Sequence, residues 1–211
     1  KAPNLPGAVV HDCENAVNKF KDNTEMLLEL NVMNKKSTSG LSGLTIPHCL
    51  LMPTAGLDIL ILITDCCFAG LFPDSYLLGA SLGIGKSDTN WRPITLLEAP
   101  MKLVASSVNR RLMKTAYEHK LLSSNQFGNV LGGSTNSPLR MTISMYEQAR
   151  VHGKGLHVSY LDLQTAFDCV PHSWLEAAIR AVTGSEKVAR WVRNMCTGQR
   201  RKVTHAYGCS E

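Results

Sequence analysis

Residues 80–97 read ASLGIGKSDTNWRPITLL, and the structure given to this stretch decides the fold. Its first half fits a permissive phosphate-loop pattern, a small residue, four spacers and then Gly85-Lys86-Ser87. Such a loop needs a helix directly after the lysine, so that free N–H groups face the phosphates. Here Lys86-Ser87 leads into a polar turn and then Trp91-Arg92-Pro93-Ile94-Thr95. Pro93 lacks a donor and disfavours helix at Arg92, so the pattern predicts two strands, over 76–84 and 91–97, joined by a turn at 86–90. The nucleotide-hydrolase reading fails on this context.

Working outward, Pro100 suits the first turn of a helix that carries Met101, Val104, Ala105, Val108 and Leu112 on one face. Upstream, the apolar run 55–73 reads as a buried helix ending near Gly70. Asp58 and Asp65 interrupt it, and it falls short of the roughly 20 clean apolar residues that a membrane span needs, so no membrane partner is expected. One or two helices are expected over 13–34, then a polar Gly/Ser loop at 35–43. Downstream, Ser137-Pro138 opens a helix that Gly153 closes. Residues 156–163, LHVSYLDL, read as the best strand in the chain. A helix over 171–182 is predicted to turn Trp174, Leu175, Ala178 and Ile179 inward, and Ser185 caps another bearing Val188, Trp191, Val192 and Met195. A final strand is predicted over 200–207. Helices outnumber strands without a βαβαβ rhythm, which gives an α+β class.

The 211 residues carry a net charge of +5, concentrated in two stretches, 99–154 and 180–202, each of net +6. Basic stretches suit a polyanion such as nucleic acid, and they equally suit ordinary solvated helix faces. Seven cysteines include no CxxC pair, which argues against a disulfide framework or zinc knuckle and for a reducing, intracellular setting, nuclear or cytoplasmic. Asp162 ends the strand-like run. Two roles suit a carboxylate there, holding a divalent ion beside a nucleotide or capping a turn.

Several blocks occur together. YLDLQTAFDCVPHSWL (160–175) resembles the first catalytic motif of reverse transcriptases, especially those of non-LTR, LINE-type retrotransposons. NWRPITLLEAPMKLVASSVNRRL (90–112) resembles that family's RPI fingers motif and the helix after it. LLSSNQFGNVLGGSTNSPL (121–139) is similar to its QxGF block, and SGLSGLTI (39–46) with FPDSYLLGASLGIGK (72–86) to the region leading to an IPK-like lysine.

The resemblance implies a right-hand polymerase, with a helical extension at 1–40, fingers at 41–154 and a partial palm at 155–211. It implies RNA-templated DNA synthesis with an RNA template, a DNA primer, dNTPs and two Mg2+ ions. On this reading Asp162 is the first metal-binding aspartate, and Phe167 packs under the incoming sugar and excludes a 2′-hydroxyl. Arg92 and Lys86 meet the triphosphate, Gln126 and Gly128 lie near template and nucleotide, and Asp168 is structural.

The sequence departs from the family pattern in places. The GxxQGxxxSP segment and the YxDD turn are absent, so the chain is expected to be an N-terminal fragment, truncated before the YxDD hairpin and inactive alone. The lysine site reads Ile84-Gly85-Lys86, and the QxGF block reads Gly128-Asn-Val-Leu-Gly-Gly133. A non-catalytic nucleic-acid-binding module is the alternative reading.

Overall fold

The computed structural model describes residues 5–87, 90–130, 132–163, 166, 169–205 and 208–209. The architecture is helix-rich α+β. Five helices precede the sheet: α1 (Gly7–Asn15), α2 (Asn23–Val32), α3 (Ile46–Leu50), α4 (Thr54–Phe68) and the single turn α5 (Asp74–Leu77). Strands β1 (Leu78–Ser87) and β2 (Asn90–Leu96) come next, then the long helices α6 (Ala99–Glu118) and α7 (Asn136–Val151). The chain continues through α8 (His172–Thr183), α9 (Glu186–Thr197), β3 (Arg200–His205) and β4 (Gly208–Cys209).

One apolar core joins elements that lie far apart in sequence. Phe20, Met26 and Leu30 meet Leu60, Cys67 and Phe68 of α4, Leu103, Val104 and Val108 of α6, and Val188, Trp191 and Val192 of α9. The core therefore takes side chains from 1–40, 41–154 and 155–211 alike. Phe20 and Phe68 meet edge to face at 5.0 Å between centroids, and the Arg111 guanidinium lies 5.4 Å from each ring. The Trp191 indole N–H donates to Cys67 O at 2.8 Å, so its one donor is satisfied inside the core. Among the described residues no helix is long and apolar enough to cross a membrane.

The sheet has the order β2-β1-β3-β4. β1 pairs antiparallel with β2 and parallel with β3, and β3 turns back onto β4. Pro93 sits on β2, the edge strand, where a residue without an N–H is tolerated. The hairpin forms where the sequence places it, and Lys86-Ser87 passes into strand rather than helix, which removes the phosphate-loop reading. The sheet begins at Leu78 instead of residue 76, because Pro73 starts the one-turn helix α5. Residues 88 and 89 of the predicted turn lie outside the described residues.

Two expectations are corrected. Residues 156–163 form no strand: they are irregular and exposed, with Leu161 at 96% and Leu163 at 77% exposure. Val, Leu and Tyr favour a strand only where a neighbouring strand offers its N–H and C=O groups, and none of the described ladders reaches this segment. On α8 the inward row is Leu175, Ile179 and Thr183, with spacing i, i+4, i+8. Trp174 is 69% exposed and Ala178 is also exposed, because one residue on a helix is a rotation of about 100°. The predicted ends hold better: Gly70 and Gly184 adopt positive φ after α4 and α8, and Ser185 Oγ accepts the Val188 N–H at 3.2 Å.

Candidate functional site

The β1–β2 hairpin is the most constructed of the predicted site elements. Its register places Ile84 opposite Arg92 and Leu82 opposite Ile94, then breaks between Gly85 and Ser87, at Lys86. Arg92 is exposed on the edge strand. The ladder fixes where the Arg92 side chain starts, and its exposure lets the guanidinium fork meet an oxyanion.

The base of the hairpin is tied to the helical body by a carboxylate that the sequence alone does not single out. Glu98, between β2 and α6, is 2% exposed. Its Oε1 accepts the Ser42 N–H at 3.0 Å, and its Oε2 accepts the Ser42 hydroxyl. A buried carboxylate is tolerated when donors of this kind satisfy it. One turn on, Lys102 Nζ donates to Ser37 Oγ at 3.1 Å and to Thr38 O. Burial lowers the Lys102 ammonium from its usual range, while Glu98 acts in the opposite direction. Gly40 permits the approach, since a Cβ there would stand 2.5 Å from Glu98 Oε1 and 2.9 Å from the Glu98 backbone nitrogen. No local motif announces this clasp, because its two halves lie 56 residues apart.

Gln126 sits in the loop after α6. Its side-chain amide donates to Gly128 O at 2.8 Å and its N–H to Ser123 O at 3.0 Å. Tyr117, Lys120, Leu122 and Val130 join it around a groove of about 480 Å³. Neither Arg92 nor Asp162 lines that groove. Gly128 contributes a carbonyl and has open space where a Cβ would be, so packing does not require glycine there.

Asp162 is exposed, and its Oδ1 accepts the N–H of Leu163 at 3.1 Å, a local turn contact. Phe167 and Asp168 lie outside the described residues. Among the described residues no three His, Cys, Asp or Glu side chains gather as metal ligands, so Asp162 does not complete a Mg2+ site there. Positioned groups and unpositioned ones thus separate: Arg92 stands on a paired strand and Gln126 in a hydrogen-bonded loop, whereas Asp162 ends a segment with no strand partner among the described residues.

Comparison with known proteins bears on the same stretch. The family model described as reverse transcriptase (RNA-dependent DNA polymerase) matches residues 84–210. A Xenopus laevis protein titled "Transposon TX1 uncharacterized 149 kDa protein" is 28% identical over 177 residues, 81% of this chain and 13% of its own length. The chain thus spans a small part of that relative.

Proposed function

The chain belongs to the reverse transcriptase (RNA-dependent DNA polymerase) family, and we propose that it forms the fingers and first part of the palm of an enzyme that copies RNA into DNA. The parent on this reading is a LINE-type, non-LTR retrotransposon polyprotein acting inside the cell, in nucleus or cytoplasm. The observation that carries the proposal is the anchored hairpin. A family match running from its first strand to residue 210 covers most of a strand pair that offers Arg92 to solvent and is tied at its base through Glu98.

The residues then take these parts. Arg92 and Lys86 neutralise the incoming triphosphate, the guanidinium by paired hydrogen bonds and the ammonium as a point charge. Gln126 and Gly128 border template and nucleotide, and Phe167 packs under the sugar. Asp162 would be one ligand of the Mg2+ site, whose ions, when bound, would supply positive charge at the primer 3′-hydroxyl and the leaving pyrophosphate. Among the described residues no group of three ligand side chains forms around Asp162.

Primer extension on an RNA template, using the polyprotein that contains this chain, tests the proposal. Asp162→Asn is expected to lower incorporation by about three orders of magnitude. Arg92→Ala is expected to raise the dNTP KM more than it lowers kcat. The 211-residue chain alone is expected to extend no primer. Incorporation indifferent to Asp162→Asn sinks the assignment.

A further inference from the structure

Glu98 stands at the junction between β2 and α6, and its side chain serves neither element. It is the residue before α6, with extended backbone at φ −64° and ψ 149°, yet its carboxylate makes no cap bond to that helix. A side-chain oxygen in this place usually accepts from its own helix's free N–H groups. Here both oxygens turn to Ser42 instead, Oε1 to the backbone N–H at 3.0 Å and Oε2 to the hydroxyl. The same Ser42 oxygen accepts the Leu44 N–H at 3.2 Å, which carries the contact into the chain leading to α3.

The loop held in this way contributes nothing to the core. Residues 34–43 have no buried side chain, and Lys102, one turn into α6, engages the same loop at Ser37 and Thr38. Hydrogen bonds rather than packing therefore join residues 37–42 to the start of α6.

What this joint orients is the hairpin. β1 and β3 leave the helical body side by side, where a Cβ on Gly198 would stand 2.5 Å from Leu77 Cδ1. β2 returns to the body at Glu98, after only Leu97. Across the hairpin Ser81 Oγ and Thr95 Oγ1 lie 2.9 Å apart, and Gly79 leaves room for the Thr95 methyl. A pair braced in this way turns as a unit. Arg92 lies six residues from Glu98, roughly 20 Å at strand rise, so a tilt of about 5° at the joint moves it by about 2 Å.

We propose that Glu98 and Ser42 are positioning residues, whose clasp sets the pitch of the β1–β2 hairpin and, through it, where Arg92 meets the triphosphate. The part given to Arg92 rests on the reverse-transcriptase reading, whereas the hold of the clasp on the hairpin does not. The role is one of reach rather than of charge. Glutamine at this position keeps an oxygen for the Ser42 N–H and an amide N–H that donates to Ser42 Oγ. Aspartate keeps the charge and is one methylene short.

Primer extension and amide hydrogen exchange, on the same preparations of the polyprotein that contains this chain, test the proposal. Glu98→Ala and Glu98→Asp are each expected to raise the dNTP KM about tenfold with kcat little changed. Glu98→Gln is expected to stay within about twofold of wild type. In an Arg92→Ala background Glu98→Ala is expected to add nothing to KM, because it acts through Arg92. Peptides over 78–96 are expected to exchange about tenfold faster in Glu98→Ala, while peptides of α4 keep wild-type protection.

Loss with glutamine and retention with aspartate overturns reach in favour of charge pairing with Lys102. A tenfold rise in KM that persists in the Arg92→Ala background overturns action through Arg92. Should α4 lose protection as well, Ser42→Ala decides, since it removes one hydroxyl from an exposed residue. It is expected to raise KM about threefold, and a KM equal to wild type sinks the proposal. The two readings fail separately. An unchanged KM in Glu98→Ala, beside extension that depends on Asp162, removes the positioning role and keeps the polymerase. Faster exchange over 78–96 in a protein that extends no primer keeps the hold on the hairpin and removes the polymerase, and unchanged exchange removes the hold.

Discussion

Helices α6 and α7 begin from similar sequence and end in different situations. Both are long, amphipathic and basic, of 20 and 16 residues, and both have a proline within the first few residues. α6 buries nine residues, among them Leu103, Val104 and Val108; Arg110, Arg111 and Lys114 pair with Glu29, Glu25 and Glu118, and Lys102 donates to Ser37 and Thr38. α7 buries none, and Leu139, Ile143, Met145 and Tyr146 are about half exposed. Amphipathic spacing thus specifies a helix and the face available for burial, and burial itself needs an opposing surface. α6 finds that surface on α4, α1 and α2.

The strongest way to break this comparison is to place a charge on each helix. Val104→Asp buries an unpaired carboxylate at a site with no exposure and is expected to cost at least about 4 kcal/mol in urea unfolding. Ile143→Asp on α7 is expected to stay within about 0.5 kcal/mol of wild type. Equal losses would mean that α7 is packed.

A smaller effect separates the arginines. Arg111→Ala removes contact with two rings, the pair with Glu25 and the hydrogen bond to Asn18 O at 2.5 Å. The expected loss is about 2 kcal/mol. Arg140 on α7 has no such contacts among the described residues, and the urea midpoint of Arg140→Ala is expected to match wild type.

The finest distinction is in pH. Cys67, on the α4 face of the shared core, has its thiol pushed up to about 11 from 9.0, first by burial and then by Cys66. Its folded pKa is raised, so the unfolded chain releases this proton first, and stability falls as pH rises from 9 through about 11. Between pH 9 and pH 10 the expected contribution is about 1 kcal/mol. It is read as the difference in pH dependence between wild type and Cys67→Ala. The same burial protects the thiolate chemistry: Cys66 is exposed and is expected to react with a thiol reagent well before Cys67. Identical pH profiles, or equal labelling, would show that this face of α4 is open.

Local chemistry made much of this architecture readable. Pro93 decided hairpin against phosphate loop, Pro100 and Gly184 marked helix ends, and Ser185 announced α9 with the inward residues it was expected to carry. These features act over one turn of backbone, so neighbours in sequence are sufficient to read them. The site was readable to a different depth. Arg92 is placed by a hairpin that the sequence predicts, whereas the ordering of that hairpin on the body through Glu98, Ser42 and Gly40 depends on contacts 56 residues apart. The inward face of α8 was misjudged for a related reason. Trp174 and Leu175 are equally apolar neighbours, and the direction of the core decides between them.

The sequence by itself determined the longer helices α4, α6, α7, α8 and α9, the β1–β2 hairpin and the motif order, because propensity, capping and turn chemistry are local. Tertiary structure decided which cations are paired, which strand-like segment found a partner, and which apolar faces are covered. Residues 156–163 make the distinction plain: a strand is completed by hydrogen bonds to another strand, and no amount of β-favouring sequence supplies the partner.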